Sequence, residues 1–293
     1  MTRMIDPDTV LALDIGGTKM LAALVRGGVV LENQKVPTPR GGNPKQWLEA
    51  LFAAIPSWQG RYATAGAAVT GIVDQGFWSA LNRNTLDLPD RFPLAETVAR
   101  LSGVPVLAAN DAHAAAWGEF RFGAGQNEDM VFLTISTGIG GGIVVNGKPM
   151  FGLAGHFGQF RVAEDVAGTL EDQVSGHWIA SQAKDHQAGA TARDVFEAAA
   201  AGKTWAMDII GASARQTAQL CRNIHFALDP PRIVIGGSIG LAPPYLDTVR
   251  QALEGLPPRL TPKIHAAALG ESAGVVGIAD LAKNHQKNHI EEN

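Results

Sequence analysis

The sequence predicts an α/β protein built from two similar halves. Short apolar runs that end in glycine alternate with segments of helical period, which is the mark of mixed α/β architecture. A strand–glycine–strand unit occurs twice. The 293 residues, 46% hydrophobic and 18% charged, fill about two globular domains at roughly 150 residues each.

Taken in order, Val10–Leu13 is an apolar run bounded by Asp14 and Gly16-Gly17, and Met20–Val25 is a second run ending at Gly27-Gly28. Gln46–Ile55 has helical period, with Trp47, Leu48, Leu51 and Phe52 on one stripe. Thr64–Val69 reads as a strand running into Thr70-Gly71, Leu94–Leu101 as an amphipathic helix and Val104–Ala109 as a buried strand. Asn110-Asp111 then opens an Ala-rich helix to Phe120, the acid standing where a cap or first-turn carboxylate belongs.

The second unit begins with a strand at Met130–Ser136. A glycine turn at Thr137–Gly142 and a strand starting at Ile143 complete it. Thr169 to Leu228 is mainly helical. Arg232–Ile235 is a strand ending in Gly236-Gly237-Ser238, followed by a turn at Pro243-Pro244 and a helix. Gly274–Ala282 closes the chain as a helix, with the polar tail NHQKNHIEEN expected to fray.

A net charge of −4 supplies no basic footprint for nucleic acid or an anionic membrane. One cysteine, Cys221, excludes an internal disulfide and a Cys-based zinc cluster. No leader pattern and no apolar run near 18 residues is visible, so a cytoplasmic location is expected.

Four segments carry chemistry. Asp14-Ile15-Gly16-Gly17-Thr18-Lys19 sets a carboxylate at a strand end, then bare backbone, a hydroxyl and a cation. A carboxylate beside phosphate is a common way to hold Mg²⁺, directly or through water. Thr137, Gly138, Gly140 and Gly141 offer a second set of amides, and Gly236-Gly237 a turn able to face a base or ribose. Each of these is equally compatible with an ordinary tight turn, and none matches P-loop or Rossmann spacing. Asn110-Asp111 is sharper: an acid fixed at a strand end can accept a proton from a hydroxyl attacking phosphorus, or can simply cap a helix.

Together, LALDIGGTK, AAVTGIVDQG, PVLAANDAHAAAWGE, LTISTGIGGG, LAGH, GTLEDQVSG, RIVIGGSIG and AGVVGIADLA resemble, in order, the motifs of the ROK family of sugar kinases. The resemblance runs from Leu11 to about Leu281. It implies a two-lobed actin-like ATPase (ribonuclease H-like) fold with ATP and sugar in the interlobe cleft. It places residues 1–109, joined by a helix of about 275–293, in one lobe and 110–274 in the other. Asp111 would be the catalytic base, with Asp14, Gly16–Lys19, Thr137–Gly141, Gly236 and Gly237 on ATP·Mg²⁺. Gly71, Asn82, Asn110, His156 and Glu171 would surround the sugar, and a homodimer is typical of such proteins.

Two departures stand out. Family members usually hold zinc through a GH…CxCGxxGCxE loop; here GHFGQFRVAEDVAGTLE has no cysteine, so no structural zinc is expected and His156 must be oriented otherwise. The family's ExGH is here Leu153-Ala154-Gly155-His156, most like members that phosphorylate the 6-hydroxyl of N-acetylmannosamine, with glucose and N-acetylglucosamine kinases as alternatives. Sugar-binding ROK repressors carry an N-terminal helix-turn-helix domain. Only about a dozen residues precede Asp14 in this sequence, so a kinase rather than such a repressor is expected.

Overall fold

A computed structural model of the chain describes residues 6–17, 19–39, 43–81, 88–161 and 168–291. The chain forms two compact units, Met1–Phe122 with Pro149–Leu153 and Glu271–Asn293, and Gly123–Lys148 with Ala154–Gly270.

In the first unit β1 (Val10–Ile15) and β2 (Lys19–Arg26) form an antiparallel hairpin, extended by β3 (Val29–Pro37). Helix α1 (Pro44–Ala53) follows, started by a capping box: the Asn43 side chain accepts from Gln46 N–H and the Gln46 side chain answers. Next come β4 (Thr64–Val69), a small antiparallel sheet of β5 (Ile72–Asp74), β6 (Phe77–Ser79) and β7 (Phe92–Pro93), then α2 (Leu94–Ser102), β8 (Val106–Asn110) and α3 (Asp111–Phe122). The main sheet has the order β3-β2-β1-β4-β8, with β1, β4 and β8 parallel. Leu11, Leu13 and Ile15 pack with Trp47, Leu48, Leu51 and Trp78, the Trp47 and Trp78 rings meeting edge-on at 6.4 Å.

The second unit opens with β9 (Met130–Ile135), β10 (Ile139–Val145) and β11 (Lys148–Pro149). Helices α4 (Glu171–Val174), α5 (Gly176–Gln182), α6 (Ala192–Ala200) and α7 (Thr204–Leu228) precede β12 (Arg232–Gly236), α8 (Tyr245–Gln251) and β13 (Ile264–Ala266). Its sheet order, β11-β10-β9-β12-β13, repeats the first: a hairpin whose leading strand pairs in parallel with the next. Val131, Leu133, Ile233 and Ile235 pack with Ile210, Ala214 and Cys221 of α7. Burial pushes the Cys221 thiol up to about 12, leaving it a small inert hydrophobe.

The chain closes in the first unit with α9 (Ala273–Glu291). Its segment through 284–291 is helical, where a frayed tail was expected. Helix α3 also lies in the first unit, so the expected boundary at 109/110 moves to 122/123. The cause is a close backbone crossing: a Cβ on Gly277 would run into Ala114 O and one on Gly118 into Ala273 O. Small residues let α3 and α9 meet along their length, which ties α3 to the unit that follows it in packing rather than in sequence. Among the described residues no helix is long and apolar enough to cross a membrane.

Candidate active site

In the first unit the sequence-predicted acids gather at one edge. Strands β1, β4 and β8 run parallel with Asp14 opposite Ala68 and Val69 opposite Asn110, so their carboxyl ends lie side by side. In open α/β sheets this end collects ligands. Asp111 Oδ2 accepts a 2.8 Å hydrogen bond from Thr70 Oγ1, and Oδ1 accepts from Ala112 N–H at 2.8 Å. A carboxylate offers about four acceptor positions, so both oxygens keep capacity for a further proton donor.

Asn110, expected beside the sugar, is held by bonds within the protein. Its carbonyl accepts from the N–H groups of Ala112 (2.9 Å) and His113 (3.1 Å), capping α3, and its amide donates to Gly71 O at 2.8 Å. Gly71 is needed for its own reasons. Its φ is +110°, and a Cβ there would sit 2.6 Å from Ser79 O. Trp78 Nε1 donates to Thr70 O at 2.8 Å, so the corner after β4 is held from two sides and presents Thr70 to Asp111. The sequence reading passed over Thr70. Its signal was the strand pairing: a residue that follows Val69 must neighbour one that follows Asn110.

Asp14 is half-buried at the end of β1. Burial first, and the charge of Asp111 second, push its carboxyl up to about 7, while Lys19 pulls the other way. A carboxyl that resists ionisation beside a second carboxylate is a donor set that a divalent cation would relieve, so these residues fit Mg²⁺. The turn after Asp14 is closed by Gly16 N–H donating to Lys19 O at 3.0 Å, and Thr38 Oγ1 donates to Gly16 O at 2.7 Å. Gly17 is exposed and Lys19 projects into solvent. Thr18 and Asn82 lie outside the described residues.

In the second unit the expected Thr137–Gly142 turn is shorter. Gly140, Gly141 and Gly142 belong to β10, paired with Thr134, Leu133 and Phe132, so only 136–138 turns. Gly141 is required by packing, since a Cβ would meet Phe132 O and the Phe157 ring at 2.6 Å. Of the turn residues 136–138, Thr137 is the exposed one. The turn is docked on α5: Gly176 N–H donates to Ser136 O at 2.7 Å and His177 N–H to Thr137 O at 3.2 Å.

Glu171 Oε2 accepts from Ile139 N–H at 2.8 Å and fills the space a side chain on Gly138 would need. His156 is half-buried between Gly155, which packs on Gly141 O, and a 3₁₀ turn at Phe157–Gln159. Both expected sugar contacts thus hang on the same hairpin. Gly236 and Gly237, expected near a base or ribose, have packing duties: Gly236 lies against Ala267 and the Phe132 ring, and Gly237, at φ +87°, against the Ile135 backbone. Among the described residues no group of three or more His, Cys, Asp or Glu side chains could hold a metal by itself.

A profile of the ROK family matches residues 10–285. The bifunctional enzyme NanE/NanK of Brucella melitensis is 47% identical over 280 residues, covering 94% of this chain and 54% of that protein. The chain thus spans about half the length of the first relatives it matches. The N-acetylmannosamine kinase of Shigella flexneri is 38% identical over 290 residues, covering 95% of this chain and 99% of that one. Among solved structures, a ROK family glucokinase from Streptomyces griseus in complex with glucose and AMPPNP superposes with a TM-score of 0.80 at 31% identity, covering 94% and 99% of the two chains.

Proposed function

The chain belongs to the ROK family, and from that premise we propose that it is an ATP-dependent kinase that phosphorylates the 6-hydroxyl of N-acetylmannosamine. The observation that carries this reading is the anchoring of Asp111 by Thr70 at the strand ends, beside a second carboxylate, Asp14, that is hard to ionise. The substrate class is supported by the full-length likeness to the Shigella flexneri N-acetylmannosamine kinase.

Asp111 takes the proton of the attacking hydroxyl as its oxygen bonds to the terminal phosphorus of ATP, while the bond from that phosphorus to the β–γ bridging oxygen breaks and ADP leaves. Thr70 and Ala112 N–H fix the carboxylate's orientation, so little reorganisation is needed when the sugar arrives. Gly16, Gly17 and Lys19 are placed to receive phosphate oxygens through backbone and ammonium. Asp14 would hold Mg²⁺, which when bound neutralises phosphate charge. A bound cation would favour the ionised form of Asp14, whose proton would pass to solvent. In the second unit Thr137 and Gly138 are read as phosphate contacts, and His156 and Glu171 as sugar contacts. Leu153, 67% exposed where the family has an acid, offers apolar surface for an acetamido methyl group. The same reading takes the protein to act in the cytoplasm as a homodimer.

A second reading, glucokinase activity, is favoured by the likeness to the Streptomyces griseus enzyme. One panel separates them. ADP release is measured with N-acetylmannosamine, N-acetylglucosamine, glucose and mannose, and kcat/KM should be highest for the first. A preference for glucose would replace the first reading, and no sugar-dependent ADP release would end both.

A further inference from the structure

We propose that Glu271 is a competitor for Lys19, engaging its ammonium beside the first glycine turn until a nucleotide phosphate displaces it. This rests on the kinase reading, in which Lys19 meets a phosphate.

Glu271 stands in the 3₁₀ turn that leads into α9. Its Oε2 lies 2.8 Å from Lys35 Nζ and its Oε1 3.3 Å from Lys19 Nζ. Lys19 pairs with Pro37 and Lys35 with Leu21, so the two lysines are diagonal neighbours on one face of the β2–β3 ladder. Like charges so placed repel, and Glu271 bridges them. The bridge is unequal: Lys35 has the tighter hold and Lys19 the looser. One carboxylate between two ammonium groups also leaves a net positive charge, which draws an anion to the spot. The side chains of Glu271, Lys19 and Lys35 are 68%, 58% and 54% exposed, so each contact is weak and easily exchanged. Just beyond the turn, at the start of α9, Gly274 is packed so closely on Asp14 that a Cβ would lie 3.0 Å from Oδ2. The turn and the start of α9 therefore touch, between them, both the cation and the carboxylate of the phosphate loop. An incoming phosphate can displace the looser partner while Glu271 stays on Lys35.

The test is a double-mutant cycle on the full chain, reading KM for ATP and kcat at saturating sugar for Glu271→Gln, Lys19→Met and both together. Glu271→Gln removes the competitor for Lys19 and should lower KM for ATP about two- to fivefold, with kcat within twofold of the parent. In the Lys19→Met background the same change should leave KM unaltered. An equal shift in both backgrounds means a general charge effect and overturns the proposal. No shift in the parent overturns it as well, as does a change confined to melting temperature. Lys19→Met alone reports on the underlying reading: an unchanged KM for ATP would remove Lys19 from phosphate binding and take the role of Glu271 with it.

Discussion

Thr70 Oγ1 donates a 2.8 Å hydrogen bond to Asp111 Oδ2, joining the residue after β4 to the residue after β8 across two parallel strands. The carboxylate that is read as the base is therefore oriented by a side chain 41 positions earlier, not by its own helix alone.

Removing the hydroxyl should misorient Asp111 without disturbing the fold. Thr70→Val keeps the shape of the side chain and deletes the donor, and kcat should fall roughly tenfold, on the order of one hydrogen bond to a charged group. Thr70→Ser should restore most of it. Sugar KM should stay within about threefold in both, since the residue acts through Asp111. Wild-type turnover in Thr70→Val would remove Thr70 from the site.

Asp14 predicts a pH-dependent stability. Its carboxyl is raised from 3.8 to about 7, so between those values the folded chain keeps a proton that the unfolded chain has lost. The stability this group supplies is complete below its unfolded value and disappears as pH rises through about 7. Asp14→Asn deletes the dependence. Its melting temperature should exceed the parent's at pH 8, by an amount corresponding to at most about 4 kcal/mol, and the gap should close toward pH 4. Mg²⁺ should raise the melting temperature of the parent at pH 8 and leave Asp14→Asn unmoved. A gap that does not vary with pH would contradict the assignment.

Much of this was legible in the sequence because glycine after an apolar run marks a strand end whatever its partners. The run Val10–Leu13 lies in β1, which extends two residues further to Ile15, Thr64–Val69 is β4 as read, and the doubled strand–glycine–strand unit reappears as two sheets of one connectivity. What could not be read was which glycines serve turns and which serve packing. Gly140, Gly141 and Gly142 look like a loop in isolation but lie in β10, where the bare Gly141 leaves room for the Phe157 ring and Phe132 O. The placement of α3 was equally hidden, because it depends on Gly118 and Gly277 meeting across more than 150 residues of chain. Asn110 was identified as a site residue, but its capping of α3 through the same carbonyl was not legible in the sequence. Thr70 needed strand register, which periodicity does not supply.

Glu171, proposed as a sugar contact, also holds the second unit's hairpin. Its charge-assisted bond to Ile139 N–H, at 2.8 Å, closes the β9–β10 turn. Glu171→Ala leaves that N–H without an acceptor and should cost about 1–3 kcal/mol, a drop of several degrees in melting temperature. Glu171→Gln keeps an acceptor and should recover most of the loss, while sugar KM rises in both variants. An alanine variant that melts with the parent would show that the turn does not depend on this bond.

The central claim is that Asp111 accepts the proton of the attacking sugar hydroxyl. Its most direct test is Asp111→Asn, which keeps size and hydrogen bonding but removes the base, followed by a coupled ADP assay and by calorimetric titration with N-acetylmannosamine. The account predicts a loss of kcat of roughly 10²–10⁴-fold with sugar affinity within a few-fold of the parent. Turnover close to the parent's would contradict it.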